Sequence, residues 1–148
     1  MFSQKKRDMQ KKEILIHINK MYVFHKKWHV KLQKIQLGNP VPKSEIDFSI
    51  TDCYFCDWYQ NNQDSVFSEH FQKIGLYHKK VHHIFQTIKK KGLTEKQIDG
   101  TSYYSSIFDT LKAKEQGMLL AYFKDLKKAH NQISKTIKEL QLAILHSN

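Results

Sequence analysis

Four side chains of metal-ligating type stand in three short motifs rich in aromatic residues. They are His25 in His-Lys-Lys-Trp (25–28), Cys53 in Cys-Tyr-Phe-Cys-Asp-Trp-Tyr (53–59), and His78 and His82 in His-Lys-Lys-Val-His (78–82). Two histidines four apart on a helix project from one face, a turn apart, so both can bind a single ion. A third imidazole and a thiolate from elsewhere complete the tetrahedral nitrogen and sulfur shell that zinc prefers. The chemistry these residue types point to is a zinc site in a helical scaffold.

Taken singly, each residue has an ordinary reading. A histidine on an apolar seam is more often a hydrogen-bonded core residue than a ligand, and a buried cysteine usually packs as a small hydrophobe. Nine histidines also make chance pairs, as His25 and His29, again four apart, illustrate. The combination carries more weight because of where the elements put these residues. Apolar positions recur at Ile14, Ile18, Met21, His25, Trp28, Leu32 and Ile35, in steps that alternate four and three. That is the inward seam of an amphipathic helix, and His25 lies on it. The helix is expected to stop at Gly38, before Asn39-Pro40-Val41-Pro42.

A second seam runs through Phe67, Phe71, Ile74, His78, Val81, Phe85 and Ile88, with His78 on it and His82 beside it. Ser65 or Asp64 is the expected cap, and Gly92 the expected end. A third long helix fits 107–145 through Leu111, Leu119, Tyr122, Leu126, Ala129, Ile133, Leu140 and Ile144, weakened early by Gly117. Between the first two, residues 52–61 suit a short helix capped by Thr51 or Asp52, with Cys53 and Asp57 on one face. Residues 89–101 hold two glycines and read as a connector. Extended alternation is absent, so no substantial sheet is expected. The predicted architecture is all-α, a four-helix-bundle-like single domain over 1–148, with three long helices and a short Cys-bearing one.

The formal charge of +11 invites a nucleic-acid reading. Of the 25 basic residues, however, only Arg7 is arginine, the side chain that bidentate base contacts favour. The lysines are scattered over every segment as solvated helix faces would have them. No apolar run reaches membrane-spanning length, and the basic N-terminus leads into mixed charge rather than a signal core. A cytoplasmic protein without membrane insertion is the expectation. Two cysteines spaced Cys-x2-Cys do not form a secreted disulfide framework; in the cytosol they suggest metal or redox chemistry.

His-x2-Trp on a first helix, Cys-x4-Trp in a short segment and His-x3-His on the next helix together resemble the chemoreceptor zinc-binding (CZB) domain family, over nearly the whole chain. The resemblance implies a helical bundle binding one Zn through His25, Cys53, His78 and His82, with Trp28 and Trp58 packed around the site. It also implies a sensor of zinc or of oxidants such as hypochlorous acid, coupled to chemoreceptor, chemotaxis or diguanylate cyclase partners, and commonly self-associating. With the long final helix offering a further seam, a homodimer is expected. The family usually has glycine three residues after its cysteine; here Cys56 stands there, as a resolving thiol or simply a small residue. His29 stands where the family pattern asks for no histidine. The chain carries neither a receptor coiled-coil hairpin nor a Gly-Gly-Asp/Glu-Glu-Phe motif, so a regulator acting in trans, or part of something longer, is expected.

Three imidazoles and a thiolate form a closed shell with no open water position, which argues against hydrolytic catalysis and for a non-enzymatic role. Other readings stay open. A nucleic-acid-binding finger would use Cys53, Cys56, His78 and His82, but the 21 residues between the pairs exceed the usual spacing of ~12. A four-histidine site would use His25, His29, His78 and His82. A di-iron bundle needs carboxylates paired with histidines, and no histidine here has Asp or Glu four or five residues later. A basic helical adaptor without metal would keep the histidines as core residues.

Overall fold

The protein, as a computed structural model, is described over residues 4–47 and 67–147. It is mostly helical with a small sheet. Helix α1 (Gln4–Gln36) leads into a two-residue strand β1 (Val41–Pro42) and a one-turn helix α2 (Lys43–Ile46). After the 48–66 stretch come α3 (Ser68–Gly92), the hairpin β2 (Leu93–Ile98) and β3 (Thr101–Ser106), a 3-10 turn (Phe108–Thr110) and α4 (Ala113–Leu145). The expected short Cys-bearing helix at 52–61, with Cys53, Cys56 and Trp58, lies outside the described residues, as do the proposed caps Ser65 and Asp64.

All seven seam positions of α1 are buried, from Ile14 to Ile35, as the alternation of four and three requires. The seam of α3 is buried from Phe71 to Ile88, with Phe67 partly buried at its start. The chain leaves α1 through Gly38, whose φ of 95° is the left-handed conformation that closes a helix; Gly38 N–H donates to the Ile35 carbonyl at 2.9 Å. Gly92 ends α3 for a different reason. A side chain there would run into Leu119, buried on α4, so its hydrogen lets the two helices approach.

Pairs of contacts fix the helix directions. His25 meets His78 and Trp28 meets His82, so α1 and α3 run parallel. Lys11 donates to the Ser147 carbonyl and His29 stacks on His130, so α4 runs antiparallel to α1. The core lies between the three long helices.

Two expectations are corrected. The stretch read as a connector forms an antiparallel hairpin with Thr101 opposite Ile98 and Ser106 opposite Leu93, and β1 joins it to give the order β1-β3-β2. The cause is the Asp99-Gly100 pair: φ values of 50° and 78° make the two-residue turn whose twist suits a hairpin. A purely all-α fold is thus replaced by a mostly helical one with a sheet. The last helix also begins at Ala113 rather than 107, because the 3-10 turn and an extended Leu111 intervene; Gln116 caps that turn by donating to the Phe108 carbonyl at 2.9 Å.

A polar clasp ties α2 to the rest. Lys89 of α3 donates to Asp47 at 2.8 Å, Lys31 of α1 pairs with Glu45 at 3.4 Å, and Lys43 pairs with Glu95 of β2 at 3.4 Å. Buried Tyr104 of β3 hydrogen-bonds Asp47. Burial and the Asp47 charge push its hydroxyl up to about 12.

Candidate metal centre

Three of the four sequence-predicted ligands come together. His25 from α1 and His78 and His82 from α3 are all buried, none more than 7% exposed. The His25 and His78 rings meet edge to face with centroids 4.9 Å apart, and those of His78 and His82 lie 4.5 Å apart. The Nε2 atoms of His78 and His82 are 3.1 Å apart. The four-residue spacing does this: it sets the two rings edge to face, one turn apart, on the face that α1 covers. Cys53, the fourth predicted ligand, lies outside the described residues.

Trp28 braces the group. Its indole Nε1 donates to the Ile46 carbonyl at 3.0 Å, and its ring lies over His82 at 6.1 Å and edge-on to Phe85 at 5.3 Å. Of the aromatic neighbours implied to pack around a zinc site, Trp28 is found there; Trp58 is outside the described residues.

The electrostatics favour neutral imidazoles, the form that ligates a metal. Burial holds His25 well below the usual histidine range, with His78, His130 and His82 adding to the effect. Burial, with His82 beside it, brings His78 down to about 3.

Sequence reasoning missed His130. This α4 residue is buried, stacks on His29 with centroids 4.4 Å apart and planes 7° from parallel, and approaches His25 at 6.5 Å. Burial, then His29, brings it down to about 4; partial burial and Lys127 lower His29. Its signal was in the spacing: Phe123, Leu126, His130, Ile133, Ile137, Leu140 and Ile144 step by three and four, and all are buried. His29 lies with His130 rather than with the His78–His82 pair, so the structure does not assemble the alternative set of His25, His29, His78 and His82.

The His78–His82 pair has the spacing and the chemistry that zinc accepts from two of its ligands. Metal–nitrogen bonds of ~2.0–2.1 Å about a tetrahedral centre separate two ligand nitrogens by about 3.4 Å, close to the observed spacing of His78 and His82. Burial also keeps His25 and His78 in the neutral form that ligates a metal. Among the described residues, no group of three or more His, Cys, Asp or Glu side chains is placed to hold a metal ion.

The depressed histidines set an acid limit on the metal-free protein. Below their unfolded value of 6.5, His78 and His130 take up protons more readily unfolded than folded. Stability is therefore full above that pH and falls as pH drops toward 4 and 3, each group adding a slope approaching ~1.4 kcal/mol per pH unit. Urea midpoints of chelator-treated protein at pH 7.5, 6 and 5 measure this; equal midpoints would contradict a neutral buried cluster.

Compared with known proteins, the chain matches no family model, no curated protein and no solved structure. No helix among the described residues is long and apolar enough to cross a membrane.

Proposed function

We propose that this chain is a zinc-binding sensory or regulatory domain, holding one Zn through His25, His78, His82 and Cys53. The observation that carries the reading is the convergence of three buried imidazoles from two helices, two of them 3.1 Å apart at Nε2. The CZB resemblance supplies the fourth ligand. Chain connectivity supports it: Asp47 is clasped to Lys89 near the end of α3, and the chain returns at Phe67 before its start, about 30 Å away along that helix. The histidines lie between these two anchor points, and Cys53 belongs to the 19 residues that join them. In this reading the Cys-bearing segment is the fourth helix of a bundle.

Bound zinc would cross-link α1, α3 and the Cys53 segment. His25, His78 and His82 hold their side of the site rigidly, because they are core residues of long helices. Cys53 is the soft, oxidisable ligand, so its oxidation or its protonation releases one element while the histidine side stays in place. A zinc- or oxidant-dependent docking of that segment is the signal, and the role is regulatory rather than enzymatic. The resemblance extends this to a cytoplasmic homodimer acting on chemotaxis or cyclic-di-GMP machinery.

One observation favours a second reading. His78 and His82 lie within hydrogen-bonding distance of each other, so they can satisfy one another as core residues of a basic helical adaptor. Elemental analysis of protein purified without chelator, with thiol titration, separates the two. About one zinc per chain with Cys53 protected from thiol reagents is the expected result. No metal, no uptake when zinc is offered, and a melting temperature indifferent to chelator would leave the adaptor.

A further inference from the structure

The outward face of α1 carries a pattern that the core does not explain. Ile16, Val23, Val30 and Leu37 are each between 40% and 80% exposed, and they are spaced seven residues apart. At 100° per residue Ile16, Val23 and Val30 lie on the side of α1 opposite its buried seam, and Leu37, the residue just past its end, continues the line. Isolated exposed apolar residues are normal on a protein surface, but four in one register form a line about 32 Å long. In the sequence alone, Phe2 and Met9 continue the same interval toward the N-terminus.

The flanks of this line are cationic. Lys12, Lys20, Lys26, Lys27 and Lys34 are all exposed, and from residue 11 to 37 the only acidic side chain is Glu13. A seven-residue interval is the interval of a left-handed coiled-coil seam, and charges beside such a seam choose its partner. We propose that this face of α1 docks an amphipathic helix of another protein, apolar along its seam and acidic on its flanks.

Charge decides among the possible occupants. The positions three residues after Ile16, Val23 and Val30 are Asn19, Lys26 and Gln33, so α1 offers one apolar residue per heptad where a self-pairing seam needs two. A second copy would set Lys26 and the lysine flank against their own kind. A partner with Glu or Asp there meets each lysine with its opposite and supplies the missing apolar positions itself. A membrane surface is the poorer match, since an interfacial helix buries a broad apolar face and this one is a single line. The proposal rests on α1 alone and stands whether or not the histidines bind zinc.

The probe is a labelled synthetic helix of about four heptads with Leu and Ile at its seam and Glu on its flanks, titrated with the full chain and followed by fluorescence anisotropy. Saturable binding is expected. It should weaken at least about tenfold in the double variant Val23→Asn/Val30→Asn, weaken in high salt as exposed charge pairs do, and be unchanged by Leu142→Asn on the exposed face of α4. These positions are solvent-exposed, and circular dichroism checks that the variants keep their helices. No saturable binding, equal binding by the double variant, or equal binding to a peptide with Lys flanks would overturn the proposal. So would a dimer, or binding to phosphatidylglycerol vesicles, that the double variant loses while the acidic peptide fails to bind: the first assigns the face to a second copy, the second to a lipid surface.

Discussion

If the chain holds zinc as proposed, His78→Ala is expected to abolish its tight retention and to leave the helices folded. Among the three described candidate ligands His78 is the central one, its ring in contact with both His25 and His82. Removing it takes away one ligand and also the contact that aligns the other two. Losing a mere outer-shell partner typically lowers metal affinity by about 10- to 100-fold, so losing a direct ligand should exceed that range. Competition with a chromophoric chelator measures the affinity, and the far-ultraviolet spectrum reports the helices. The truncation also leaves a cavity beside His25 and His82, so some loss of stability accompanies it. A His78→Ala protein that still withholds zinc from the chelator like the parent would sink the assignment of this residue, and with it the centre proposed here. The comparison with Cys53→Ser is informative, because that variant should weaken zinc binding and remove its sensitivity to oxidant. Zinc release by oxidant that persists in Cys53→Ser would refute the thiolate as the switch.

Trp28→Ala lowers the stability of the metal-free protein by ~3–5 kcal/mol, the range for emptying a large aromatic site in a core. The residue is 4% exposed and joins three elements: its own helix, α2 through the Ile46 carbonyl, and α3 through His82 and Phe85. Trp28→Phe separates its two roles. Phenylalanine keeps most of the ring contact but has no N–H, so the Ile46 carbonyl loses its indole donor, at a cost of ~1–3 kcal/mol. Urea or guanidinium unfolding of chelator-treated protein reads both variants. If Trp28→Phe matched the parent, the indole hydrogen bond would be energetically idle and α2 would depend on its ion pairs. Because the ring lies over His82, Trp28→Ala should also loosen zinc binding, by less than His78→Ala does.

The inward faces of the helices were readable from spacing alone. Steps of three and four put His25 and His78 on the same stripes as Ile18 and Phe85, and a residue on such a stripe is buried whatever its polarity. The same arithmetic holds for His130, which was passed over because Ala129 beside it reads more naturally as the apolar member of that turn. The hairpin was hidden for a different reason. Its strands, Leu-Thr-Glu-Lys-Gln-Ile and Thr-Ser-Tyr-Tyr-Ser-Ser, are largely polar and lie at the side of the helices, so little apolar alternation marks them. Only Asp99-Gly100 signalled the turn, and a pair of glycines near a helix end resembles any loop. The start of α4 was misplaced because Ile107, Phe108 and Leu111 are apolar at plausible helical intervals while serving a 3-10 turn. What spacing cannot supply is the chemistry at the stripe. Imidazoles in contact fit a metal centre or a self-satisfied polar core, and the difference lies in an ion that leaves no mark on the sequence.

The sheet constrains how this protein can assemble. One free edge is β1, two residues long and ending in Pro42, which has no N–H to offer an incoming strand. The other is β2, whose exposed stretch carries Glu95 and Lys96, charges that an added strand would have to desolvate. Both borders are therefore closed to strand addition, the commonest route by which small sheets recruit one another into fibrils. Among the described residues, the outer surfaces of the long helices are better placed for association, and there side chains rather than backbone groups choose the partner.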